Sequence, residues 1–360
     1  MKNKLKIFVY TICKNEEKFV DRFYDSVKDA DGIYVLDTGS TDNTVLKLKE
    51  KNIHVFKYKI NPWRFDNARN LALDLVPSDA DICISLDLDE VLMPNWRKCL
   101  EENWKDGTNR VRYTYHWYID QNDNPKISFY SDKIHSRNNY RWVNPVHEVL
   151  KFEGEEKTIT IDDLVIRHYP DRTKSRSSYL PLLELAVKEN PENDRNTHYL
   201  GREYMYYEKY NEAIDMLIKH LSLKSATWKD ERCASMRFIS RCYKNINRFE
   251  EAKMWALKAI EEAPYLRDGY MEAAMLYYDL EDYNKVIELC NEALKISKNS
   301  KSYINELYTF DETVFDLLSI SYYKTNNLKE AIDNAKKALE INPSNERIQN
   351  NLNYYLNVEE

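Results

Sequence analysis

Short apolar runs alternate with amphipathic stretches over the first half of the chain. Runs of β-branched and aromatic residues predict buried strands at 6–13, 32–37, 53–58 and 81–86. Between these runs, the spacing of the apolar residues predicts helices of about 10–14 residues. Strands that alternate with helices of this length form right-handed βαβ units, so the pattern predicts an α/β domain with a mostly parallel sheet.

Beyond the fourth strand the pattern is less regular. It predicts a strand at 111–119, two short strands at 127–130 and 133–136, and a last strand that ends at His168. Aromatic residues recur with the period of a strand at Tyr113, Tyr115 and Trp117. Such a stripe either packs inside a sheet, which is the commoner use, or stacks on a sugar or peptide.

From residue 196 the pattern is helical throughout and repeats itself. A large apolar residue followed by a smaller one marks each unit, as in Tyr210 and Ala213, Phe249 and Ala252, Tyr283 and Val286, and Leu328 and Ala331. Further along the same units stand His220, Ala259, Ala293 and Ala338. The spacing resembles tetratricopeptide repeats, which are helix–turn–helix units of about 34 residues with a concave surface for peptides or partner subunits. An insertion around 297–311 indicates one irregular unit.

Composition adds limits to this picture. A chain of 360 residues has room for two domains, and we expect them at 1–175 and 195–360 with a connecting segment at 176–194. The net charge of −7 disfavours nucleic acid as a partner. The 6 cysteines are scattered without metal-ligand spacing, which is typical of reduced core residues. No run approaches the roughly 18 apolar residues of a membrane span, so we expect a cytoplasmic protein.

Polar side chains follow three of the predicted strands. Asp87 and Asp89 follow the fourth strand, Asp37 is the last residue of the second, and Thr11 to Glu16 lie at the end of the first. The carboxyl ends of parallel strands meet at one edge, where ligands bind in open α/β sheets. If the segment after the fourth strand is extended, Asp87 and Asp89 share one face and can hold a divalent cation. The alternative is a solvated acidic turn.

Four motifs in this order resemble the family 2 glycosyltransferases of the GT-A fold. They are Lys14-Asn15-Glu16, the segment from Asp37 to Thr44, the segment from Asp66 to Asn70, and Asp87-Leu88-Asp89-Glu90. The resemblance covers roughly residues 5–170. It implies a nucleotide-sugar site in which the first strand end, with Thr11, Cys13 and Glu16, and Asp37 hold the nucleoside. It also implies that Asp87 and Asp89 hold a metal and the diphosphate, and that Arg69 lies at the sugar-phosphate edge.

Each of these residues also has a purely structural interpretation. Asp37 can close the first turn of the following helix, Glu16 can favour the positive end of its own helix, and Arg69 can be a surface helix residue.

A second cluster of candidate residues lies at Val146-His147-Glu148. Inverting transfer needs a group that takes the proton from the acceptor. A Val-His-Glu stands at the corresponding place in related enzymes, among them the sublancin-type peptide S-glycosyltransferases, which also carry C-terminal helical repeats. The resemblance implies Glu148 as general base, with His147 orienting it or touching the acceptor or diphosphate. The structural alternative for this pair is a hydrogen-bonded His147 and a solvated Glu148. The resemblance also implies His168 as a third metal ligand beside Asp87 and Asp89.

The sequence therefore predicts a metal-dependent, inverting glycosyltransferase that uses UDP-glucose or UDP-N-acetylglucosamine with manganese or magnesium. Its acceptor is a protein, a peptide or a glycan, and the repeats bind that acceptor or join copies of the chain into a homo-oligomer. The alternative is a non-catalytic adaptor with a degenerate transferase domain, which would lack the site carboxylates. Inversion rests on the resemblance alone, and the linkage atom stays open.

Overall fold

The computed structural model describes residues 4–174, 177–297, 300 and 302–359. It divides into two compact units, Met1–Ala186 and Val187–Glu360. The division falls inside the segment 176–194 that the sequence marks as a connection. The predicted fold class, an α/β domain followed by a helical repeat array, is confirmed.

The first unit is built on an eight-stranded sheet with the order β3-β2-β1-β4-β7-β6-β10-β5. Its strands are β1 Ile7–Cys13, β2 Gly32–Asp37, β3 His54–Lys57, β4 Ile82–Ser85, β5 Glu90–Leu92, β6 Arg110–Ile119, β7 Pro125–His135 and β10 Thr158–His168. A separate pair is formed by β8 Tyr140–Val143 and β9 Val149–Phe152. The four strands predicted first, β1 to β4, pair in parallel, whereas β7 runs antiparallel to both β4 and β6.

Helices cover the sheet on both faces. They are α1 Val20–Val27, α2 Thr44–Glu50, α3 Phe65–Asp74 and α4 Trp96–Asn103. A further helix, α5 Tyr179–Glu189, follows the last strand. Strand β1 shows why both faces are apolar, because Ile7 and Val9 join one buried cluster and Phe8 and Tyr10 join another. A central strand between two helical layers has no face toward water, and this produces the continuous apolar run seen in the sequence.

The prediction from sequence divided one strand into two and missed three others. The segments 127–130 and 133–136 form a single strand, β7, because β6 pairs with it over nearly its whole length. Strands β5, β8 and β9 were not predicted, since they have only 3 or 4 residues each and carry no periodic signal. Strand β5 gains its pairing from β10, which is distant in sequence.

The second unit consists of antiparallel helical pairs. Its helices are α6 Asp194–Tyr206, α7 Tyr210–Ser222, α8 Lys229–Asn245, α9 Phe249–Glu262, α10 Arg267–Asp279, α11 Tyr283–Leu294, α12 Thr313–Lys324, α13 Leu328–Ile341 and α14 Glu346–Glu359. Each large residue that marked a repeat, such as Tyr210 or Phe249, is the first residue of the second helix in a pair. The small residues that follow, such as Ala213 and Ala252, are fully buried. The tetratricopeptide-like array is therefore confirmed.

The turns inside the helical pairs share one construction. Each contains a residue other than glycine at positive φ: Glu208 (φ 59°), Asn247 (φ 59°), Glu281 (φ 59°) and Asn326 (φ 62°). The next N–H donates to a tyrosine carbonyl in the last turn of the preceding helix, and those tyrosines are Tyr204, Tyr243, Tyr277 and Tyr322. This bond closes the carbonyl end of the first helix, as in a Schellman motif. The abundance of tyrosine is thus partly a repeat feature.

The predicted insertion lies between α11 and α12, and residues 298, 299 and 301 of it are outside the described residues. Arg237, which is 1% exposed, donates to the Ile304 carbonyl at 3.0 Å and to Glu306 at 3.1 Å. The Glu306 N–H donates in turn to Asp268 at 2.8 Å. A buried guanidinium and a buried carboxylate therefore fasten the described end of the insertion to α8 and α10.

Two expectations from composition can be compared with the structure. All six cysteines are free thiols and five of them are buried, as predicted for core residues. Within the described ranges, no helix combines the length and the apolar character needed to cross a membrane.

Two glycines in the repeat unit provide a matched test of helix packing. A Cβ on Gly201 of α6 would lie 2.6 Å from Cγ and 3.2 Å from the backbone nitrogen of Leu217 in α7. We expect Gly201→Ala to lower the free energy of unfolding by about 1–3 kcal/mol, because the two helices must move apart. Thermal unfolding of the purified protein measures the change.

Gly269→Ala is the control for this substitution. Its Cβ would meet only ordinary contacts at 3.4 Å, so the change should leave stability unaltered or raise it by up to about 1 kcal/mol. Equal melting temperatures for the two variants would contradict the close approach of α6 and α7.

Candidate active site

The loops after β1 and β2 bind one another through their motif residues. Asn15 lies at φ 54° and accepts the Thr41 N–H at 2.7 Å, while the Asn15 N–H donates to the Ser40 hydroxyl at 2.9 Å. The Glu16 N–H donates to the Thr44 hydroxyl at 2.7 Å. These side chains shape the edge of the sheet, which leaves the neighbouring carboxylates to meet a ligand.

Asp37 ends β2 beside Cys13, the last residue of β1. Its carboxylate accepts the Ser40 N–H at 3.1 Å, and the Cys13 thiol donates to it at 3.7 Å. The turn-closing role is therefore real, and any contact with a nucleotide is additional to it. Thr11 lies deeper and is 1% exposed, with its hydroxyl donating to the Ile12 carbonyl at 3.2 Å.

Glu16 forms an ion pair with Lys174. Burial raises the pKa of Glu16 to about 7, and the nearby carboxylates of Asp89 and Asp87 act in the same direction against Lys174. The ion pair favours the charged form and burial favours the neutral one, and burial has the larger effect. Glu16 is thus a carboxyl group held close to other carboxylates at the sheet edge.

Arg69 lies buried in α3, and two different sides of its guanidinium donate hydrogen bonds to carboxylates. Its two terminal nitrogens donate to Asp87 at 2.8 and 3.0 Å, and Nε donates to Glu148. The ring of Trp142 lies against the guanidinium at 5.1 Å. A surface position is therefore wrong for Arg69, and its place at the sugar-phosphate edge stays a prediction. Burial of its charge requires carboxylate partners from the protein itself.

The segment from Asp87 to Glu90 is a turn, and the prediction of an extended segment is wrong. Strand β4 ends at Ser85, the Glu90 N–H donates to the Asp87 carbonyl at 2.9 Å, and the Asp87 N–H donates to the Glu90 carboxylate at 2.9 Å. A shared face therefore does not follow from an extended segment, although the carboxylates of both aspartates lie close enough to Glu16 to raise its pKa. Asp87 binds Arg69, whereas Asp89 lies next to His168.

The pair of Asp89 and His168 fits a divalent metal. His168 Nδ1 lies 3.3 Å from the Trp117 carbonyl, which can only accept, so Nδ1 carries the proton. The lone pair of Nε2 then faces Asp89 Oδ2 at 3.4 Å, and a cation or a second proton must lie between these two acceptors. Burial lowers the pKa of His168, but Asp89 outweighs it and the pKa is raised.

Asp87 fits a metal less well than those two residues. Both of its oxygens already accept from Arg69. Within the described residues there is no preformed group of three or more side chains of the kind that binds metals. Of the three predicted ligands, the structure therefore brings two together and gives the third another partner.

Glu148 and His147 lie in the loop between β8 and β9. The loop is tied to α3, because the Phe65 N–H donates to the Pro145 carbonyl at 2.9 Å. Asn70 of α3 also exchanges two 2.9 Å hydrogen bonds with the backbone of Trp142 in β8. His147 has φ 49° and packs edge-on against Tyr179, with ring centroids 5.7 Å apart. One helix thus positions both Arg69 and the loop that carries Glu148.

The chain is similar to known proteins over both of its units. The model of glycosyl transferase family 2 matches residues 8–150. A curated relative, the SPbeta prophage-derived glycosyltransferase SunS of Bacillus subtilis strain 168, is 26% identical over 91% of this chain and 81% of its own length. Residues 8–150 of the chain form a glycosyl transferase family 2 domain. The glycosyltransferase SunS of Bacillus phage SPbeta matches with the same figures.

The helical unit of the glycosyltransferase has its own matches. A tetratricopeptide repeat model matches residues 238–265, and the prolyl 4-hydroxylase peptide-substrate-binding domain model matches 268–360. Among solved structures, the MamA protein aligns with a TM-score of 0.37 and 19% identity over 48% of this chain and 85% of its own. YrrB, described as a TPR protein with an unusual peptide-binding site, aligns with a TM-score of 0.37 and 14% identity over 48% and 81%.

Sequence reasoning missed two charged residues of the glycosyltransferase site. Glu90 is 2% exposed and accepts from the Tyr115 hydroxyl at 2.6 Å. Lys133 of β7 lies 3.5 Å from both Asp87 and Glu90. Glu90 had a signal, since it follows the Asp-x-Asp directly, whereas Lys133 lies in a strand that the sequence broke in two. Of the aromatic stripe, Tyr113 and Tyr115 are buried and Trp117 is exposed with its ring stacked on His168.

The raised pKa of Glu16 gives the glycosyltransferase a testable pH dependence. A carboxyl group whose pKa is about 7 when folded and 4.5 normally opposes folding once it ionises, between about pH 4.5 and 7. We expect Glu16→Gln to be more stable than the wild type at pH 8, by about 1–3 kcal/mol, and equally stable at pH 4.5. Thermal unfolding at the two pH values measures the difference.

Glu153→Gln, at an exposed position of the same unit, should show no such dependence. If Glu16→Gln were less stable than the wild type at pH 8, the ion pair with Lys174 would outweigh burial and the assignment would be wrong.

Proposed function

We propose that this glycosyltransferase moves a sugar from a UDP-sugar to a protein or peptide by a metal-dependent single displacement with inversion. The observation that carries the proposal is the meeting of Asp37, the Asp89–His168 pair and the Arg69–Glu148 pair near the carboxyl ends of β1, β2 and β4. This is the edge at which ligands bind in open α/β sheets.

The nucleoside would bind at the ends of β1 and β2. Thr11, Cys13, Glu16 and Asp37 border this part of the edge. The Asp37 carboxylate is a hydrogen-bond acceptor, and the imide N–H of uracil is a donor that suits it. UDP-glucose and UDP-N-acetylglucosamine are the donors that we expect.

Asp89 and His168 would hold the divalent metal, manganese or magnesium. The backbone carbonyl of Trp117 fixes the His168 ring so that Nε2 points to Asp89, a type of support common around metal-binding histidines. The metal supplies positive charge that stabilises the departing diphosphate. Asp87 would hold Arg69 in place, and it would orient the turn that carries Asp89.

Glu148 would take the proton from the acceptor. Arg69 binds one carboxylate oxygen, and within the described parts of the chain Oε2 makes no hydrogen bond. The acceptor heteroatom forms its bond to the anomeric carbon while the bond from that carbon to the diphosphate oxygen breaks. The acceptor proton passes to Glu148 and UDP leaves, so that charge and atoms balance.

The helical unit supports a polypeptide acceptor over a glycan. Its residues 268–360 match the model of a peptide-substrate-binding domain, and such arrays present a concave surface to peptides. A cavity of about 550 Å³ in this unit is lined by mixed aromatic, apolar and charged side chains, among them Tyr210, Arg241, Met275 and Tyr278. The adaptor alternative is weaker, because the carboxylates Asp37, Asp87, Asp89 and Glu148 are all present.

Release of UDP from a panel of UDP-sugars, with and without manganese, tests the proposal. We expect slow, metal-dependent hydrolysis of one donor by the wild type and a loss of about a hundredfold or more in Asp89→Ala. Glu148→Gln should lose turnover and keep donor affinity in calorimetry. Asp163→Ala, an exposed carboxylate of β10, is the matched control and should behave as the wild type.

Failure of every donor to bind or turn over would favour the adaptor alternative. Turnover that needs no metal, or an unaffected Asp89→Ala, would remove the metal from the proposal and leave the transferase assignment in place.

A further inference from the structure

Lys133 lies between two carboxylates of the site. Its ammonium is 3.5 Å from Asp87 Oδ2 and 3.5 Å from Glu90 Oε1, and its side chain is 26% exposed. Neither distance is that of a tight hydrogen bond, so Lys133 acts on both carboxylates mainly through its charge. Burial lowers the pKa of Lys133, but Glu90 and Asp87 outweigh burial and the pKa is raised, which keeps the group charged.

The charges of the site form one alternating chain. It runs from Glu148 through Arg69, Asp87 and Lys133 to Glu90, and each cation lies between two carboxylates. Without Lys133, the carboxylates of Asp87 and Glu90 would repel one another across a space of low polarity. Asp87 could then no longer hold Arg69 in one orientation.

The two ends of this chain differ in rigidity. Glu90 is fixed, because it accepts from the Tyr115 hydroxyl at 2.6 Å and from the Asp87 N–H at 2.9 Å. Glu148 lies in a loop and is held by Arg69. Strands β5, β6 and β7 carry Glu90, Tyr115 and Lys133. The sheet therefore fixes, through Asp87 and Arg69, the position of the loop that carries the proposed base.

We propose that Lys133 is a positioning residue, which holds Asp87 so that Arg69 presents Glu148 to the acceptor. This inference rests on the proposed function, since it takes Glu148 as the base. It assigns no direct contact between Lys133 and the donor. A direct contact with the diphosphate and a purely structural role are the two competing explanations.

Kinetics of UDP release by Lys133 variants test the inference. We expect Lys133→Met to lower kcat by about ten- to a hundredfold and to leave the donor dissociation constant unchanged within about twofold. Lys133→Arg keeps the charge and should recover most of the loss. Lys126→Met, on the same strand and outside the chain of charges, is the matched control and should match the wild type.

A double-mutant cycle with Glu148→Gln separates the explanations. If Lys133 acts through Glu148, Lys133→Met should have no more than about a twofold further effect in the Glu148→Gln background. Full additivity of the two losses, or a weakened donor affinity in Lys133→Met, would overturn the positioning role. Equal loss in Lys133→Arg and Lys133→Met would also overturn it, because a structural role needs no charge.

Cooperative thermal unfolding serves as the check that each variant is folded. If Lys133→Met does not fold, the cycle is completed with Lys133→Gln, to which the same criteria apply. A wild type without turnover would defeat the proposed function itself. An active wild type with a fully active Lys133→Met would defeat this inference alone.

Discussion

Burial of the Arg69 guanidinium is the constraint on which the first unit depends. A charge taken out of water needs compensation of opposite sign, and here the compensation comes from the turn after β4 and from the loop between β8 and β9. Segments that are far apart in sequence are thereby held at fixed distances from one helix. The Asn70 bonds to Trp142 add a neutral attachment beside the charged one. The contacts that neutralise the buried charge of Arg69 also fix the positions of Asp87 and Glu148.

The two units differ in the kinds of side chain that they bury. In the repeat unit, small residues such as Ala252 and Ala293 are completely buried and let helices approach closely. In the first unit, the edge of the sheet collects Glu16, Asp87, Asp89 and Glu90, and burial there raises the pKa of Glu16 and disfavours its charged form. Such an arrangement lowers stability locally, which is common where proteins carry out chemistry.

Sequence reasoning succeeded where a signal is local and periodic. Strand β2 was located to the residue, and the first residue of each second helix in the array was marked by the repeat, because packing fixes which positions are apolar. It failed where tertiary contacts decide. The turn from Asp87 to Glu90 depends on a carboxylate that accepts a backbone N–H, and the place of Lys133 depends on the antiparallel pairing of β7 with β4. The candidate site could be named from motifs, but the partnership of Arg69 with both Asp87 and Glu148 joins residues up to 79 positions apart.

The turns of the repeat array that are closed by a tyrosine carbonyl also determine where this half of the chain can accommodate insertions. Each turn is closed by backbone groups within one helical pair, so an added residue there would break the bond that ends the first helix. Among the described residues, the junctions between pairs lack this closure. The one long insertion lies at such a junction, between α11 and α12, and all four closures are intact. New loops that enlarge the surface of the array can therefore arise between pairs, while the turn inside each pair keeps a constant length.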